Sequence, residues 1–190
     1  GAVIGGFLGG AIYIWVNHYR GQMKDVSAGR LADLTAPAVL IAQAIGRIGD
    51  VINGEHVAKT TDLLWGFVYT NPASGSYRQH GVISSHPAVV YEMIWDMVVL
   101  AVVWKLRGRL APSGMLFVVY AMLYSLGRFF ISFLRLERVE WIAGLNEAQI
   151  VSLIILAITV PLLAYRVRWV RREDVGPPQK RSRRARRSRA

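Results

Sequence analysis

The sequence predicts an all-α protein, a polytopic transmembrane helical bundle with about five spans in this chain and a cytoplasmic C-terminus. Three observations support this fold class. The chain is 53% hydrophobic, with a mean hydropathy of +0.32, whereas soluble domains of this size are usually less apolar. The apolar residues fall in five long blocks. The basic residues concentrate in alternate connecting segments, as expected of loops on one side of a membrane.

The five apolar blocks account for the predicted spans. A helix needs roughly 20 mostly apolar residues to cross a bilayer, within a range of about 17–25. The first block is shorter and opens at Gly1 without a signal-peptide pattern, so we expect part of the protein to precede it. The other four blocks meet the required length. The blocks cover residues 2–16, 34–52, 87–104, 114–134 and 148–165.

The connecting segments follow the positive-inside rule. Basic residues follow the first, third and fifth blocks, whereas segments 54–86 and 135–147 carry few cations or mix them with acids. From Arg166 onward, eleven Lys/Arg and two Asp/Glu supply +9 of the net charge of +11. We therefore predict a transmembrane domain over 1–170 and a disordered basic cytoplasmic tail over 171–190.

The basic tail suits contact with anionic membrane lipids. A nucleic-acid-binding arm is the alternative, but no nucleic-acid partner is expected because nothing else in the chain supports one. The chain contains no Cys, which excludes a disulfide framework and a cysteine nucleophile of its own.

Charged residues inside the blocks are the candidate functional residues, because each costs roughly 2.5–3.5 kcal/mol within a span. The second block ends in a polar run in which Arg47, Asp50 and either Asn53 or Gly54 share one helical face. Glu55 adds a further carboxylate. The structural alternative is an Arg47–Asp50 pair that satisfies itself.

The third and fourth blocks carry further intramembrane charges. Tyr124 lies one turn before Arg128, whose apolar flanks leave its guanidinium group in need of an anion. Snorkelling of Arg128 to the interface is the alternative. Glu92 and Asp96 share one face of the third block. We expect these two acids to hold spans together through Arg47 or Arg128 rather than to act in catalysis.

The predicted topology brings these polar residues to the non-cytoplasmic face. The glycine-rich opening with Gly5 and Gly6 begins on the same side, where it serves either helix packing or a lipid site. Two guanidinium groups at head-group depth favour a phosphate, which Arg binds bidentately. The sequence therefore predicts a phospholipid head-group site. The residues on this face are Arg47, Asp50, Asn53, Glu55, His86 and Arg128.

The order of the motifs resembles that of the bacterial prolipoprotein diacylglyceryl transferases. The run GRIGDVINGE resembles GRxGNFxNGE of that family, and IGGFLGG is similar to its HGGxxGG segment. HPAVVYE resembles HPxxxYE, and YSLGRFFISFLR resembles the Arg-bearing late helix. AQIVSL is similar to GQxxS, and LADLTAP to the Asp-x-x-Ala-Pro stretch. The resemblance covers residues 2–170.

The resemblance implies a membrane transferase of the bacterial plasma (inner) membrane. Its reaction moves the diacylglyceryl group of phosphatidylglycerol to the lipobox Cys thiol of a preprolipoprotein and forms a thioether. Membrane lipids and the lipobox segment are then its partners, without a metal or an organic cofactor. The implied catalytic residues are Arg47, Arg128 and Glu55, and the implied substrate-binding residues are Arg47, Asp50, Asn53, Gly54, His86, Tyr91, Tyr124, Gly5 and Gly6.

Three site positions depart from the family pattern. Ile4 stands where the family has a His proposed as the base, Asp50 stands where it has Asn, and Ser132 stands where it has an acid. His86 is a candidate replacement for the base. The departures leave open a second function, in which a catalytically weakened or inactive paralogue acts as a membrane lipid-binding or assembly protein. An anion transporter is a third class, which the lack of paired interrupted segments disfavours.

Overall fold

The computed structural model describes residues 2–20, 27–136, 140–142 and 144–170. The basic tail predicted over 171–190 lies outside the described residues, and so does the side chain of Ile4. The helices of this part of the chain are α1 (Ala2–Tyr19), α2 (Ala28–Asn53), α3 (Gly75–His80), α4 (Ala88–Leu106), α5 (Met115–Ile131) and α6 (Glu147–Arg166). A 3-10 turn, Ser132–Leu134, continues α5.

Short antiparallel strand pairs close the ends of the last two helices. Strand β1 (Leu110–Ala111) pairs with β4 (Arg168–Trp169), and β2 (Glu140–Ile142) pairs with β3 (Leu145–Asn146). The all-α prediction is confirmed, because each predicted apolar block lies in one long helix and the strands are only two or three residues long.

Three described helices are long and apolar enough to cross a membrane by length and composition: α2, α5 with its 3-10 turn, and α6. The 19-residue α4 carries Glu92, Asp96 and Lys105, and its two acids are buried against neighbouring helices. Within α1, the apolar stretch Leu8–Asn17 is shorter than the three candidate spans. The total of five spans therefore remains a prediction.

Helix α2 begins at Ala28, earlier than its apolar block. The Ser27 hydroxyl accepts a hydrogen bond from the Arg30 backbone N–H, at 3.2 Å, and so caps the first turn. The helix ends at Gly54, whose left-handed backbone (φ 61°) favours glycine. A Cβ at Gly54 would also lie 2.7 Å from the ring of Tyr69. The chain therefore turns sharply at this residue and returns toward the bundle.

Asp33 joins the start of α5 to α2. Its carboxylate accepts hydrogen bonds from the backbone N–H groups of Gly114, at 2.7 Å, and Phe117, at 3.0 Å. These groups belong to the first turn of α5, where helical N–H groups have no partner within the helix and a negative charge is favourable. The Asp of the LADLTAP stretch is therefore a helix cap.

Helices α2, α4 and α5 surround one apolar core, while α6 packs along α5 and α1 contacts α2. Helix α4 approaches α5 closely at Gly127, where an added Cβ would lie 2.1 Å from Cδ1 of Trp95. The Trp95 indole donates a hydrogen bond to the Leu123 carbonyl, at 2.9 Å. This approach lies beside Arg128 and one turn from Glu92. The fully or nearly buried core residues are Ala36, Leu40, Val99, Val103, Leu116 and Tyr120.

The segment between α2 and α4 folds back on the end of α5. The Lys59 N–H donates to the Leu134 carbonyl, at 2.8 Å, and Ala58 forms a bridge with Arg135. These backbone contacts place His56 beside the Arg135 side chain. Residues that follow two different spans thus meet at one end of the bundle.

Candidate functional site

Glu92 is the centre of the candidate site. Its side chain is buried, with 4% of its surface exposed, and it faces three guanidinium groups. Nη2 of Arg47 lies 2.7 Å from Oε2. Nη1 of Arg135 lies 3.0 Å from Oε1, and Arg128 pairs with the same oxygen through its own Nη1. A carboxylate from α4 therefore pairs with cations from α2, from α5 and from the residue that follows the 3-10 turn.

Arg47 makes a second ion pair within its own helix. Its Nη1 lies 3.1 Å from Oδ2 of Asp50, which is three residues further along α2. The Arg47–Asp50 pair expected as the structural alternative is present, but Arg47 also reaches Glu92. The expectation that Glu92 and Asp96 hold spans together through Arg47 or Arg128 is met by Glu92. No ion pair among the described residues includes Asp96.

His56 joins Asp50 to Arg135. Nε2 of His56 lies 3.3 Å from Oδ2 of Asp50, and Nη2 of Arg135 lies 2.5 Å from Nδ1 of His56. Burial lowers the pKa of the imidazole below its ordinary value, and the neighbouring Arg135 lowers it further. We call Glu92, Arg47, Arg128, Arg135, Asp50 and His56 the Glu92 cluster.

A cleft of about 1060 Å³ opens beside the cluster, next to the C-terminal end of α2. His56 and Arg135 line it, and so do the predicted residues Asn53 and Glu55. The Asn53 side-chain amide donates to Oε1 of Glu55, at 3.3 Å, and both side chains are exposed. We call this space the outer cleft. Neither of these two residues touches Glu92 in the described contacts.

Gly54 contributes through its backbone. Its carbonyl accepts hydrogen bonds from the Ser76 N–H, at 3.0 Å, and from the Ser76 hydroxyl, at 3.2 Å. This contact anchors α3 against the end of α2. The turn at Gly54 therefore shapes the wall of the outer cleft.

His86 and Tyr91 lie at the start of α4. Their rings pack edge to face, with centroids 6.3 Å apart. The Tyr91 hydroxyl accepts a hydrogen bond from the Trp65 indole, at 2.8 Å. Nδ1 of His86 is buried without a hydrogen-bond partner among the described residues. Neither side chain joins the described ion pairs, so the structure gives no direct support to His86 as the replacement base.

Tyr124 and Arg128 lie where two cavities meet. Both line a small cavity of about 10 Å³ with Glu92 and Asp96, and both line a groove of about 330 Å³ between α5 and α6. Val151 of α6 contributes apolar surface to this groove. We call it the α5–α6 groove. Arg128 therefore faces the α5–α6 groove as well as Glu92.

The glycine-rich opening of α1 lies apart from these contacts. A Cβ at Gly5 or Gly6 would meet no described atom within 4 Å, whereas one at Gly10 would lie 3.0 Å from Leu31 Cδ2. Close helix packing is therefore seen at Gly10, and the face of α1 with Gly5 and Gly6 is open in the described part of the chain. The structure does not bring Gly5 or Gly6 to the Glu92 cluster.

Ser132 and the AQIVSL stretch have local structural roles. The Ser132 hydroxyl, which is buried, donates to the Arg128 carbonyl, at 2.7 Å. Gln149 of the AQIVSL stretch forms a reciprocal capping box with Asn146 at the start of α6, and the Ser152 hydroxyl donates to the Ala148 carbonyl. These side chains stabilise helix ends and helix backbone.

His56 and Arg135 are cluster members that the sequence prediction does not include. Arg135 follows Arg128 by seven residues, a spacing that returns to the same helical face. That spacing is a usable signal. His56 carries no comparable signal, because it reaches the cluster only through the turn at Gly54. Among the described residues, no group of three or more His, Cys, Asp or Glu could hold a metal ion.

Comparison with known proteins gives consistent relatives. Residues 1–165 match the family pattern of prolipoprotein diacylglyceryl transferase. A protein from Dehalococcoides mccartyi named phosphatidylglycerol–prolipoprotein diacylglyceryl transferase is 34% identical over 174 residues, which cover 92% of this chain and 63% of the relative. Proteins with that name from Acaryochloris marina and Clostridioides difficile are 37% and 35% identical, each over 81% of this chain and 54% of the relative. The chain thus spans less than two thirds of the length of these curated relatives.

Proposed function

Because the chain belongs to the prolipoprotein diacylglyceryl transferase family, we propose that it transfers the diacylglyceryl group of phosphatidylglycerol to the lipobox cysteine of preprolipoproteins. The observation that carries the proposal is the convergence of Arg47 and Arg128 on Glu92. Family membership and the names of the relatives favour this function over that of a non-catalytic lipid-binding paralogue.

The reaction needs stabilisation of a phosphate that gains charge. The acceptor thiol releases its proton to solvent, and the thiolate attacks a glycerol carbon of the lipid. The bond from that carbon to the phosphate oxygen breaks, and glycerol phosphate leaves with the electron pair. Fixed cations at the departing oxygens favour such a step. Arg47 and Arg128 are the proposed cations.

Arg47 is suited to share its guanidinium group between protein and lipid. Its ion pairs with Glu92 and Asp50 use Nη2 and Nη1, and a guanidinium group has five N–H donors in a planar fork. The two carboxylates fix the plane of the group before a lipid arrives. Fixed orientation of this kind lowers the cost of binding a phosphate.

The α5–α6 groove is the proposed lipid entrance. It joins an apolar wall, which includes Val151 and Ile155, to the side chain of Arg128. An acyl chain fits the apolar wall, and a phosphate fits the guanidinium group. The lipid would thus enter sideways from the bilayer with its head group toward the Glu92 cluster.

The outer cleft is the proposed entrance for the acceptor polypeptide. Its lining contains polar side chains, which include Asn53, Glu55 and Arg135. A preprolipoprotein could place its lipobox cysteine near the cluster from this side without crossing the lipid path. Glu55 is proposed to be a catalytic residue on this side of the site, where the Asn53 side chain holds the Glu55 carboxylate through a hydrogen bond.

The proposed location is the bacterial plasma membrane, with the site toward the non-cytoplasmic face and the C-terminus in the cytoplasm. The three apolar helices and the family support a membrane protein. The positive-inside pattern of the connecting segments supports the orientation.

Complementation tests the proposed function. The protein would be produced in bacteria depleted of their own transferase, and the mass of a reporter lipoprotein would be measured. We expect a mass gain equal to one diacylglyceryl group, and no gain with an Arg47→Gln variant present in the membrane at the same level. An unmodified reporter, despite correct insertion of the protein, would contradict the proposal and favour the lipid-binding paralogue.

A further inference from the structure

We propose that His56 is a positioning residue of this site, which joins Asp50 to Arg135 and thereby holds the Arg135 guanidinium group against Glu92. The inference rests on the transferase function proposed for the Glu92 cluster. It goes beyond that function because it gives His56, which lies outside the membrane helices, the task of ordering Arg135 on one side of the cluster.

The contacts define which nitrogen of His56 carries the proton. Arg135 has only donors, so Nδ1 of His56, which lies 2.5 Å from its Nη2, accepts through its lone pair. Nε2 then carries the hydrogen and lies 3.3 Å from Oδ2 of Asp50. One neutral imidazole therefore satisfies an acid and a guanidinium group at the same time.

The charged groups around His56 favour this neutral form. Asp50 and Arg47 face it from α2, Glu92 from α4, and Arg135 from the end of α5. Burial is the largest cause of its lowered pKa, followed by Arg135, while Asp50 opposes the shift. Protonation would turn Nδ1 into a donor that points at another donor, and the contact with Arg135 would break.

The effect of His56 reaches the reacting groups through Glu92. Oε1 of Glu92 pairs with both Arg135 and Arg128. If Arg135 moves away, Oε1 of Glu92 loses one of the two guanidinium groups that pair with it. The Glu92 carboxylate is then less fixed in orientation, and so is Arg128, which pairs with it. His56 therefore acts on the proposed phosphate site through Arg135, with no contact to the lipid required.

The same geometry argues against His56 as the base for the acceptor thiol. Its Nδ1 already accepts from Arg135, and its Nε2 already carries a hydrogen toward Asp50. A general base needs a free lone pair within reach of the proton that it removes. Positioning is the role that both nitrogens support.

Two substitutions separate positioning from a merely structural role. In His56→Gln, the amide can donate to Asp50 and accept from Arg135, whereas His56→Leu can do neither. We expect the transfer rate at pH 7.5 to fall about tenfold or more in the Leu variant, and less than about threefold in the Gln variant. Equal loss in both variants, or wild-type rate in the Leu variant, would overturn the inference.

The pH profile adds a readout that packing alone would not move. The wild-type rate should fall between pH 7.5 and 5.5 as His56 gains a proton, and this fall should be smaller in His56→Gln. The matched control is His80→Gln, because Nε2 of His80 lies 2.8 Å from the Ala58 carbonyl and His80 is not part of the cluster. A steep fall that persists in His56→Gln would contradict the inference.

Nitrogen NMR of the histidine rings tests the contact without any lipid transfer. With ¹⁵N-labelled histidine, the resonances lost in His56→Gln should report a neutral ring with its hydrogen on Nε2. Arg135→Gln should raise the pKa of this ring, and Asp50→Asn should lower it. A ring with its hydrogen on Nδ1 overturns the inference. If the expected ring is seen but wild-type protein transfers no lipid, the contact stands and the proposed function fails.

Discussion

Nη2 of Arg47 lies 2.7 Å from Oε2 of Glu92, in an ion pair that joins α2 to α4. Both side chains are largely buried. A buried carboxylate is costly unless it is paired, and Glu92 meets that requirement with three guanidinium groups. The pair therefore serves two ends, since it holds the helices together and it fixes a cation at the proposed phosphate site.

Replacing Glu92 tests the structural role of this carboxylate. In Glu92→Gln, three guanidinium groups lose their shared anion, and breaking a buried ion pair costs about 3–5 kcal/mol. We expect the free energy of unfolding in detergent to fall by that order, as measured by denaturant titration with circular dichroism. The control is Asp62→Asn, an exposed carboxyl, which should change stability little. A Glu92→Gln variant as stable as wild type would show that the cluster contributes nothing to the fold.

The approach of α4 to α5 gives a second stability prediction. In Gly127→Ala, the new Cβ would lie 2.1 Å from Cδ1 of Trp95, so the helices must move apart at a cost of about 1–3 kcal/mol. Thermal unfolding should show the loss. The control is Gly46→Ala, also within a helix, where a Cβ meets no described atom within 4 Å. That change should be neutral or stabilise by about 0.5–1 kcal/mol. Similar effects at the two positions would contradict the packing described for Trp95.

Arg128 gives a prediction about chemistry rather than stability. A Lys side chain keeps the charge but loses the planar fork that binds a phosphate and a carboxylate together. We expect Arg128→Lys to lower the transfer rate by about 10²–10³, the range seen when one charge-stabilising donor is removed. The assay would follow diacylglyceryl transfer from phosphatidylglycerol vesicles to a lipobox peptide. Arg166→Lys, at the far end of α6, should leave the rate unchanged. A full rate in Arg128→Lys would show that transfer does not need bidentate binding of the phosphate by Arg128.

His56 predicts a pH dependence of stability. Its pKa in the folded protein is lowered, so the unfolded chain binds more protons as the pH falls below the ordinary value of about 6.5. The stabilising contribution is therefore complete above that value and is lost as the pH falls toward the lowered pKa. We expect the melting temperature to drop between pH 7.5 and 5.5, and to drop less in His56→Gln. An equal drop in wild type, His56→Gln and the control His80→Gln would contradict the assigned environment.

The sequence predicts the helices well because each apolar block is close to the length of a helix. It places the start of α2 too late, since Arg30 and Asp33 interrupt the apolar run. The structure uses Asp33 to cap α5, a contact between distant residues that no local pattern reveals. The segment between α2 and α4, with the short α3, is likewise set by hydrogen bonds to the end of α5 rather than by periodicity.

The sequence also predicts that Arg47 and Arg128 meet buried acids, because a charge within a span must find a partner. It does not predict Arg135 and His56. Both residues follow the spans in the sequence. A charge outside a span has little energetic cost, so its presence there does not indicate a buried partner. Their place in the cluster depends on the turn at Gly54 and on the pairing of Ala58 with Arg135.

The central claim is that a lipid phosphate binds at Arg47 and Arg128. Solid-state NMR of the ¹⁵N-arginine-labelled protein in phosphatidylglycerol bilayers can measure the distance from guanidinium nitrogen to phosphorus. A direct contact predicts strong ¹⁵N–³¹P dephasing, which corresponds to a nitrogen–phosphorus distance of about 4 Å. The dephasing should be weaker in each of the single variants Arg47→Lys and Arg128→Lys. Dephasing that is absent, or that is unchanged in both variants, would contradict the claim.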